Sequence, residues 1–233
     1  MKVYAISDFH LSINNPKPMD IFGEVWSNYL EEISDFWQKN ICEEDLVLIA
    51  GDISWAMTLD AVKPDLSYLG AFKGKKVLLR GNHDYWWHSI SALRGILPYN
   101  MYAVQNDCLR FGSVLVCGSR GWTTPENGIF NDEDKKIYDR ELIRLKLSLD
   151  DLAKKRTPSD LAIAMMHYPP FNSKFEASPF TELMSEYKID AVVYGHLHGK
   201  NARVKRMLNI RGVDYYLTSC DMINNEPALI AKV

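Results

Sequence analysis

Residues 77–84 read VLLRGNHD, a short apolar run that stops at a glycine and passes at once to an amide, an imidazole and a carboxylate. Short apolar runs that do not alternate with polar residues fit strands buried on both faces of a sheet. Taken through Arg80, this run is one of five with that texture; the others are Val3–Ser7, Leu46–Ala50, Leu161–Met166 and Ala191–Tyr194. Each ends in chemistry. Asp8-Phe9-His10 follows the first, Gly51-Asp52 the second, Gly81-Asn82-His83-Asp84 the third, His167 the fourth, and Gly195-His196-Leu197-His198-Gly199 the fifth. Open α/β sheets bind ligands at the carboxyl ends of their strands, so five such strands deliver these donors to one crevice.

Helices are expected between the first three strands. Met19–Asn40 carries apolar residues at helical spacing (Ile21, Phe22, Val25, Trp26, Tyr29, Leu30, Ile33, Phe36, Trp37), and Leu59–Phe72 and Trp86–Ile96 are two further candidates. The texture then changes. Cys108–Phe111 and Ser113–Cys117 flank Gly112 as a tight hairpin, and Asn131–Arg156 reads as a long charged helix capped by Asn131 or Asp132. Arg203–Ile210, Asp214–Ser219 and Ala228–Val233 are further strands, with turns at Gly212 and at Asn224-Asn225. No repeat or low-complexity linker interrupts the pattern. The expectation is a single α/β domain over residues 1–233, with two sheets and helices outside.

Composition limits the function classes. The chain has 233 residues, 47% hydrophobic and 24% charged, with a net charge of −3. Such a chain buries a substantial core, and its charge argues against a general nucleic-acid coat. The four cysteines (Cys42, Cys108, Cys117, Cys220) are far apart with no C-x-x-C pair, which favours buried free thiols in a reducing compartment. The N-terminal apolar stretch is too short for a signal peptide, and no apolar run approaches the roughly 18–20 residues that span a bilayer. A cytoplasmic protein is expected.

The donors are a mixed nitrogen and oxygen set, suited to Mn or Mg by hardness and to Fe or Zn by imidazole. In Asp8-x-His10, residues two apart on an extended segment point the same way, and His196-x-His198 repeats the device. Gly51, Gly81 and Gly195 allow sharp turns and close backbone approach beside the donors. Five of the six histidines fall in this ordered set, and only His88 lies outside it. The donors are too many for one four- to six-coordinate ion; two ions sharing a carboxylate account for them.

Taken together, D-x-H, G-D, G-N-H-D, H and G-H-x-H between residues 8 and 199 resemble the calcineurin-like metallophosphoesterase superfamily, in order and without substitution. The resemblance implies an αββα fold, a two-sheet β-sandwich flanked by helices. It implies one ion held by Asp8, His10, Asp52 and His198, and a second by Asp52, Asn82, His167 and His196, with Mn, Fe or Zn as candidates. It makes His83 a catalytic non-ligand near the leaving group, with Asp84 as the carboxylate that orients it. The implied activity is hydrolysis of phosphomonoesters or small phosphodiesters on a small phosphorylated substrate. A nuclease, or a binding module that has lost catalysis, are the alternatives; the nuclease calls for a broader basic surface than the net charge offers.

Other residues carry weaker claims. Arg80 either helps bind phosphate or is an ion-pair partner at the strand end. Trp55, Tyr85, Trp86, Trp87 and Trp122 follow donor strands or adjoining loops; some could stack against an aromatic group, while core packing accounts for at least two. Lys200, Arg203, Lys205 and Arg206 form either a basic rim or, the favoured reading, a solvated strand face. Specificity is expected in the loops Asp107–Asn131 and Pro169–Pro179.

Overall fold

A computed structural model describes residues 1–126, 130–199 and 204–233 of the protein. Its strands are β1 (Lys2–Ile6), β2 (Leu46–Ile49), β3 (Lys75–Leu78), β4 (Met101–Ala103), β5 (Cys108–Phe111), β6 (Val114–Ser119), β7 (Leu161–Met166), β8 (Ala191–Tyr194), β9 (Met207–Ile210), β10 (Val213–Leu217) and β11 (Ala228–Lys232). The helices are α1 (Tyr29–Asn40), α2 (Lys63–Gly70), α3 (Ile90–Arg94), α4 (Asp132–Lys155) and α5 (Pro179–Glu186). One sheet has the order β11-β1-β2-β3-β4, the other β5-β6-β7-β8-β10-β9. The strands from β1 to β4 are parallel, as are β6, β7, β8 and β10, while the outer strands β11, β5 and β9 pair antiparallel.

The non-alternating strand sequences follow from this layering. Successive side chains of a strand point to opposite faces, and here both faces are dry. From β1 and β2, Val3, Ala5, Leu46 and Leu48 meet Val114, Val116, Ile163, Met165 and Val193 of the other sheet. The intervening Tyr4, Ile6, Val47 and Ile49 pack under Tyr29, Ile33 and Trp37 of α1 and Leu66 and Leu69 of α2. On the far side, Ala162, Ala164, Met166, Val192 and Tyr194 lie under Leu145, Leu149 and Leu152 of α4 and Phe180 and Met184 of α5. The result is the expected αββα sandwich. Each large side chain fully buried in these layers is worth about 1.5–3 kcal/mol of transfer free energy.

Local chemistry trims several expected elements. Met19–Asn40 is not one helix: Gly23, at φ 131°, separates two 3₁₀ turns (Asp20–Phe22 and Glu24–Trp26), and α1 starts only at Tyr29. Pro64 sits in the first turn of α2, where its missing N–H costs nothing, so the helix starts at Lys63 rather than Leu59. Ser89 caps α3 by accepting from the Ala92 N–H at 3.3 Å, leaving Trp86 and Trp87 in the preceding turn. Asn131 caps α4 as expected, in a capping box with Asp134. α5 and β4 had no counterpart in the sequence reading; α5 is set by the Ser178–Thr181 capping box and Pro179, and β4 is only three residues long. Gly112 (φ 61°) turns the β5–β6 hairpin, and Arg211 and Gly212 (φ 52° and 83°) make the two-residue β9–β10 loop that demands left-handed residues. All four cysteines are free; three are buried, but Cys42 is exposed, against expectation. No helix among the described residues is long and apolar enough to cross a membrane.

Candidate metal centre

The carboxyl ends of β1, β2, β3, β7 and β8 meet where the two sheets are stitched together. The Ser7 N–H donates to Thr218 O at 2.8 Å, and His167 Nδ1 lies 3.0 Å from Ala50 O, each joining one sheet to the other. Two groups of donors form there: Asp8, His10 and His198, and Asp52, His167 and His196, each with its ligand atoms within 4.8 Å of one another. Asp52 stands between the groups, its Oδ2 3.4 Å from His167 Nε2 and 3.9 Å from His10 Nε2. Asn82 joins the second group, with Oδ1 2.7 Å from His167 Nε2.

The backbone reaches this arrangement by a route the spacing argument did not foresee. Asp8, His10, Asp52 and His196 all have left-handed φ angles, 63°, 48°, 50° and 72°. Asp8 and His10 therefore converge through a kinked backbone, not through the alternation of an extended strand. Left-handed non-glycine residues cost about 1–3 kcal/mol each and persist where surrounding contacts over-determine them. Those contacts are visible: the Asp8 and His10 N–H groups donate to Gly51 O and Asp52 O at 2.9 and 3.0 Å. The glycines are needed for close approach. A Cβ on Gly51 would meet His167 Nδ1 at 2.6 Å, one on Gly195 would meet Asp8 Oδ2 at 2.5 Å, and one on Gly81 would collide with Asp52.

Hydrogen bonds fix which imidazole nitrogens face inward. His167 Nδ1 lies 3.0 Å from Ala50 O, so it carries the proton and leaves the Nε2 lone pair for the centre. His198 Nδ1 lies 2.9 Å from Asp221 Oδ1, which orients its Nε2 in the same way. His198 Nε2 is 3.1 Å from Asp8 Oδ1 yet makes no hydrogen bond, and the buried His10 Nδ1 has no partner among the described residues. His198 Nε2 and Asp8 Oδ1, close together but not hydrogen-bonded, are placed as two ligands of one cation would be. The mixed His, Asp and Asn set, with carboxylates to offset charge, fits one or two divalent ions.

Electrostatics agree with that fit. Burial holds His10 and His196 down at about 4, in the neutral form that binds metal. Burial also opposes charge on His167 and His198, but Asp52 and Asp8 outweigh it and raise them to about 8 and about 10. The carboxyl of Asp8, despite full burial, is held far below the usual range by His198, and Asp52 is lowered chiefly by His167. Protons thus occupy, on two histidines, the charge that a cation would supply.

Asp84 does not orient His83. Its buried carboxylate accepts from the N–H groups of Ile53, Ser54 and Gly81 at 2.9, 3.1 and 2.7 Å and from Trp86 Nε1 at 3.1 Å. It therefore ties the loop after β2 to the loop after β3, a task set by four convergent N–H donors. Burial, followed by the nearby Asp52, raises it to about 7, against those hydrogen bonds. His83 instead donates its backbone N–H to Asp52 Oδ1 at 2.8 Å, and its ring packs 4.6 Å from Trp55 and 5.6 Å from His10. It belongs to neither donor group.

The aromatics divide. Trp86 and Trp87 are core, as the packing alternative had it. Trp55 stacks on His10 at 4.8 Å, Tyr85 is half exposed near His83, and Trp122 packs 5.1 Å from Tyr168, which rests on His196 at 4.1 Å. His88 is exposed, as are Lys205 and Arg206, while Lys200 and Arg203 lie outside the described residues. Arg80 makes no ion pair among the described residues and lines a cavity beside the centre. Asp221 escaped the sequence reading; a lone acid in the turn after β10 carries no local signal.

A two-sheet α/β sandwich with a histidine–carboxylate centre at its strand ends defines the class. The chain belongs to the calcineurin-like phosphoesterase family, whose model matches residues 1–200. An uncharacterized metallophosphoesterase of Helicobacter pylori is 24% identical over 204 residues, 85% of this chain and 44% of the relative, so the chain spans less than half the length of that curated relative. Among solved structures, a Thermus thermophilus protein superposes with a TM-score of 0.60 at 11% identity, covering 93% of this chain and 88% of its own. A protein of unknown function from Aquifex aeolicus gives 0.52 at 15% identity, covering 98% and 95%. These likenesses are of fold.

Proposed function

We propose that this chain hydrolyses phosphomonoesters or small phosphodiesters with two metal ions, drawn from Mn, Fe and Zn. Asp8, His10 and His198 would hold one, Asn82, His167 and His196 the other, with Asp52 shared between them. The observation that carries this reading is the meeting of two three-residue donor groups, with Asp52 of the second also facing His10 of the first at 3.9 Å. When bound, such ions neutralise phosphate oxygens and acidify a coordinated water.

The chain's own residues supply the rest. Asp8 and Asp52 bring negative charge that offsets the cations. Asp221 and the Ala50 carbonyl hold His198 and His167 in the tautomers that face the centre. His83, outside both groups and packed against Trp55, would give a proton to the departing oxygen or stabilise its developing charge. His196 forms part of the wall of a cavity of about 310 Å³ lined chiefly by apolar groups, among them Tyr168, Phe171, Phe175 and Leu197. Both loops expected to carry specificity reach it, through Thr123 and Thr124 and through Pro169, Phe171 and Phe175. An apolar or aromatic alcohol moiety of the substrate fits this cavity.

The test is a substrate panel after reconstitution with Mn²⁺, covering aryl monoesters, aryl diesters, cyclic nucleotides, dinucleotides and sugar phosphates. Metal-dependent turnover, best on esters with an apolar moiety, is the expected result. A reconstituted protein inert to every ester would leave the binding-module alternative standing.

A further inference from the structure

The ends of β4 and β6 supply neither donor group. β4 runs into Val104–Asn106, and β6 ends at Ser119 beside Arg120. With Arg80 beyond β3 and Glu141 and Arg144 of α4, these ends line a cavity of about 150 Å³. It adjoins the candidate metal centre through the backbone, because Arg120 O accepts the N–H groups of His167 and Tyr168 at 3.1 and 3.0 Å.

Charge in this cavity is out of balance. Three guanidinium groups and one carboxylate line it, and the carboxylate, the buried Glu141, pairs with two of them. Arg144 Nη1 donates to its Oε1 at 2.7 Å and Ser119 Oγ to its Oε2 at 2.7 Å, while Arg120 Nη2 stands off at 3.6 Å. Arg80 makes no hydrogen bond or ion pair among the described residues, and the buried Nε atoms of Arg80 and Arg120 have no partner among them. The side chain of Arg120 is only 16% exposed and lies 4.8 Å over the Trp122 ring. Guanidinium N–H groups buried without a partner, as the Nε of Arg80 and of Arg120 are, are costly, and the cost falls when an anion fills the space beside them.

We propose that this cavity binds a tetrahedral oxyanion, a phosphate or phosphoryl group other than the one hydrolysed at the donor groups. The planar fork of arginine matches phosphate oxygens with paired N–H donors. The volume is below the ~300–1,000 Å³ of clefts that take drug-sized ligands, which restricts the occupant to a small group. That the anion is a phosphate rests on the phosphoesterase reading; that the site takes an anion does not. Its source is either a second phosphoryl group of the substrate or free phosphate.

Calorimetric titration of the full Mn²⁺-loaded chain with inorganic phosphate, repeated after chelation, tests this. A phosphate site that survives chelation and weakens at least tenfold in both Arg80→Gln and Arg120→Gln is expected. Arg80 has no hydrogen bond to lose, so Arg80→Gln keeps the fold, as circular dichroism would verify. Loss of all phosphate binding on chelation, with both variants binding like the parent, overturns the proposal and leaves the metal reading intact. Phosphate binding that is wholly indifferent to chelation yet sensitive to the arginines supports the proposal and counts against the metal reading. The source follows from KM in the loaded enzyme. An Arg120→Gln increase of at least tenfold for a bisphosphorylated substrate, absent for its monophosphate, assigns the site to substrate; no KM change, with the chelation-resistant site lost, assigns it to free phosphate.

Discussion

Removing Asp221 should weaken metal binding without touching a metal ligand. Its Oδ1 holds His198 Nδ1 at 2.9 Å, and its Oδ2 accepts the Gly199 N–H at 3.0 Å, so one carboxylate fixes both the ring and the backbone that follows it. The Asp221 side chain is 3% exposed, and water cannot readily replace it. Loss of such an orienting partner typically costs 10–100-fold in metal affinity, or about 1.4–2.7 kcal/mol. Asp221→Ala is expected to fall in that range, and Asp221→Asn, which keeps an acceptor but no charge, near its lower end. Titration with Mn²⁺ by calorimetry measures the affinity, and turnover at saturating Mn²⁺ should return most of the parent kcat. A second readout separates orientation from simple unfolding. Asp8 and Asp221 together overcome burial to raise His198 to about 10, so NMR titration of chelated Asp221→Ala should find His198 shifted down towards 6.5. A folded Asp221→Ala protein with Mn²⁺ affinity within twofold of the parent would refute the argument.

Asp52→Asn should abolish dinuclear loading and activity, with fewer than two metals per chain by elemental analysis; two retained metals would remove Asp52 from its shared position. His83→Ala should keep both metals yet lose most turnover on substrates with poor leaving groups, and a metal-free variant would contradict the assignment. Stability of the chelated protein should fall above neutral pH. His167 is raised to about 8, so its pairing with Asp52 is fully stabilising below 6.5 and is lost as pH rises through 8, a change of about 2 kcal/mol at 1.36 kcal/mol per unit. His198 extends the loss towards pH 10, whereas the neutral His10 and His196 act only below about 6.5. Melting temperatures of the chelated protein that do not change between pH 6.5 and 9 would sink this reasoning; the loaded protein should hold its stability there, because metal displaces those protons. Gly195→Ala should cost both stability and metal affinity, since the new methyl meets Ser7 Oγ and Asp8 Oδ2, whereas Gly199→Ala meets nothing among the described residues and should show only the strain of its φ of 85°, about 1 kcal/mol. Equal denaturation midpoints for the two variants would contradict the close-approach argument.

Much of this protein is determined by sequence alone because the relevant physics is local. A strand buried on both faces must be apolar at every position, so β1, β2, β7 and β8 are legible as unbroken runs. Ligand chemistry depends on side-chain type, so Asp8, His10, Asp52, Asn82, His167, His196 and His198 stand out wherever those runs stop. The same locality explains the failures. Gly23 and Pro64 shorten helices that spacing alone extends, and α5 shows only one short apolar face. Other features exist only once the two sheets pack, because packing decides which strand ends become neighbours. His198 meets Asp8 from the far end of the chain and Asp221 across 23 residues, and no spacing rule reaches either pairing. The left-handed backbone at Asp8, His10, Asp52 and His196 is held by loop-to-loop hydrogen bonds, not by residue preference. Asp84 is a loop tie rather than the partner of His83 because the folded chain points four N–H donors at it. The arginine cavity, too, is a tertiary fact: Arg80, Arg120 and Arg144 are scattered in the chain, and only the meeting of β3, β6 and α4 brings three positive charges to one cavity lined by a single carboxylate.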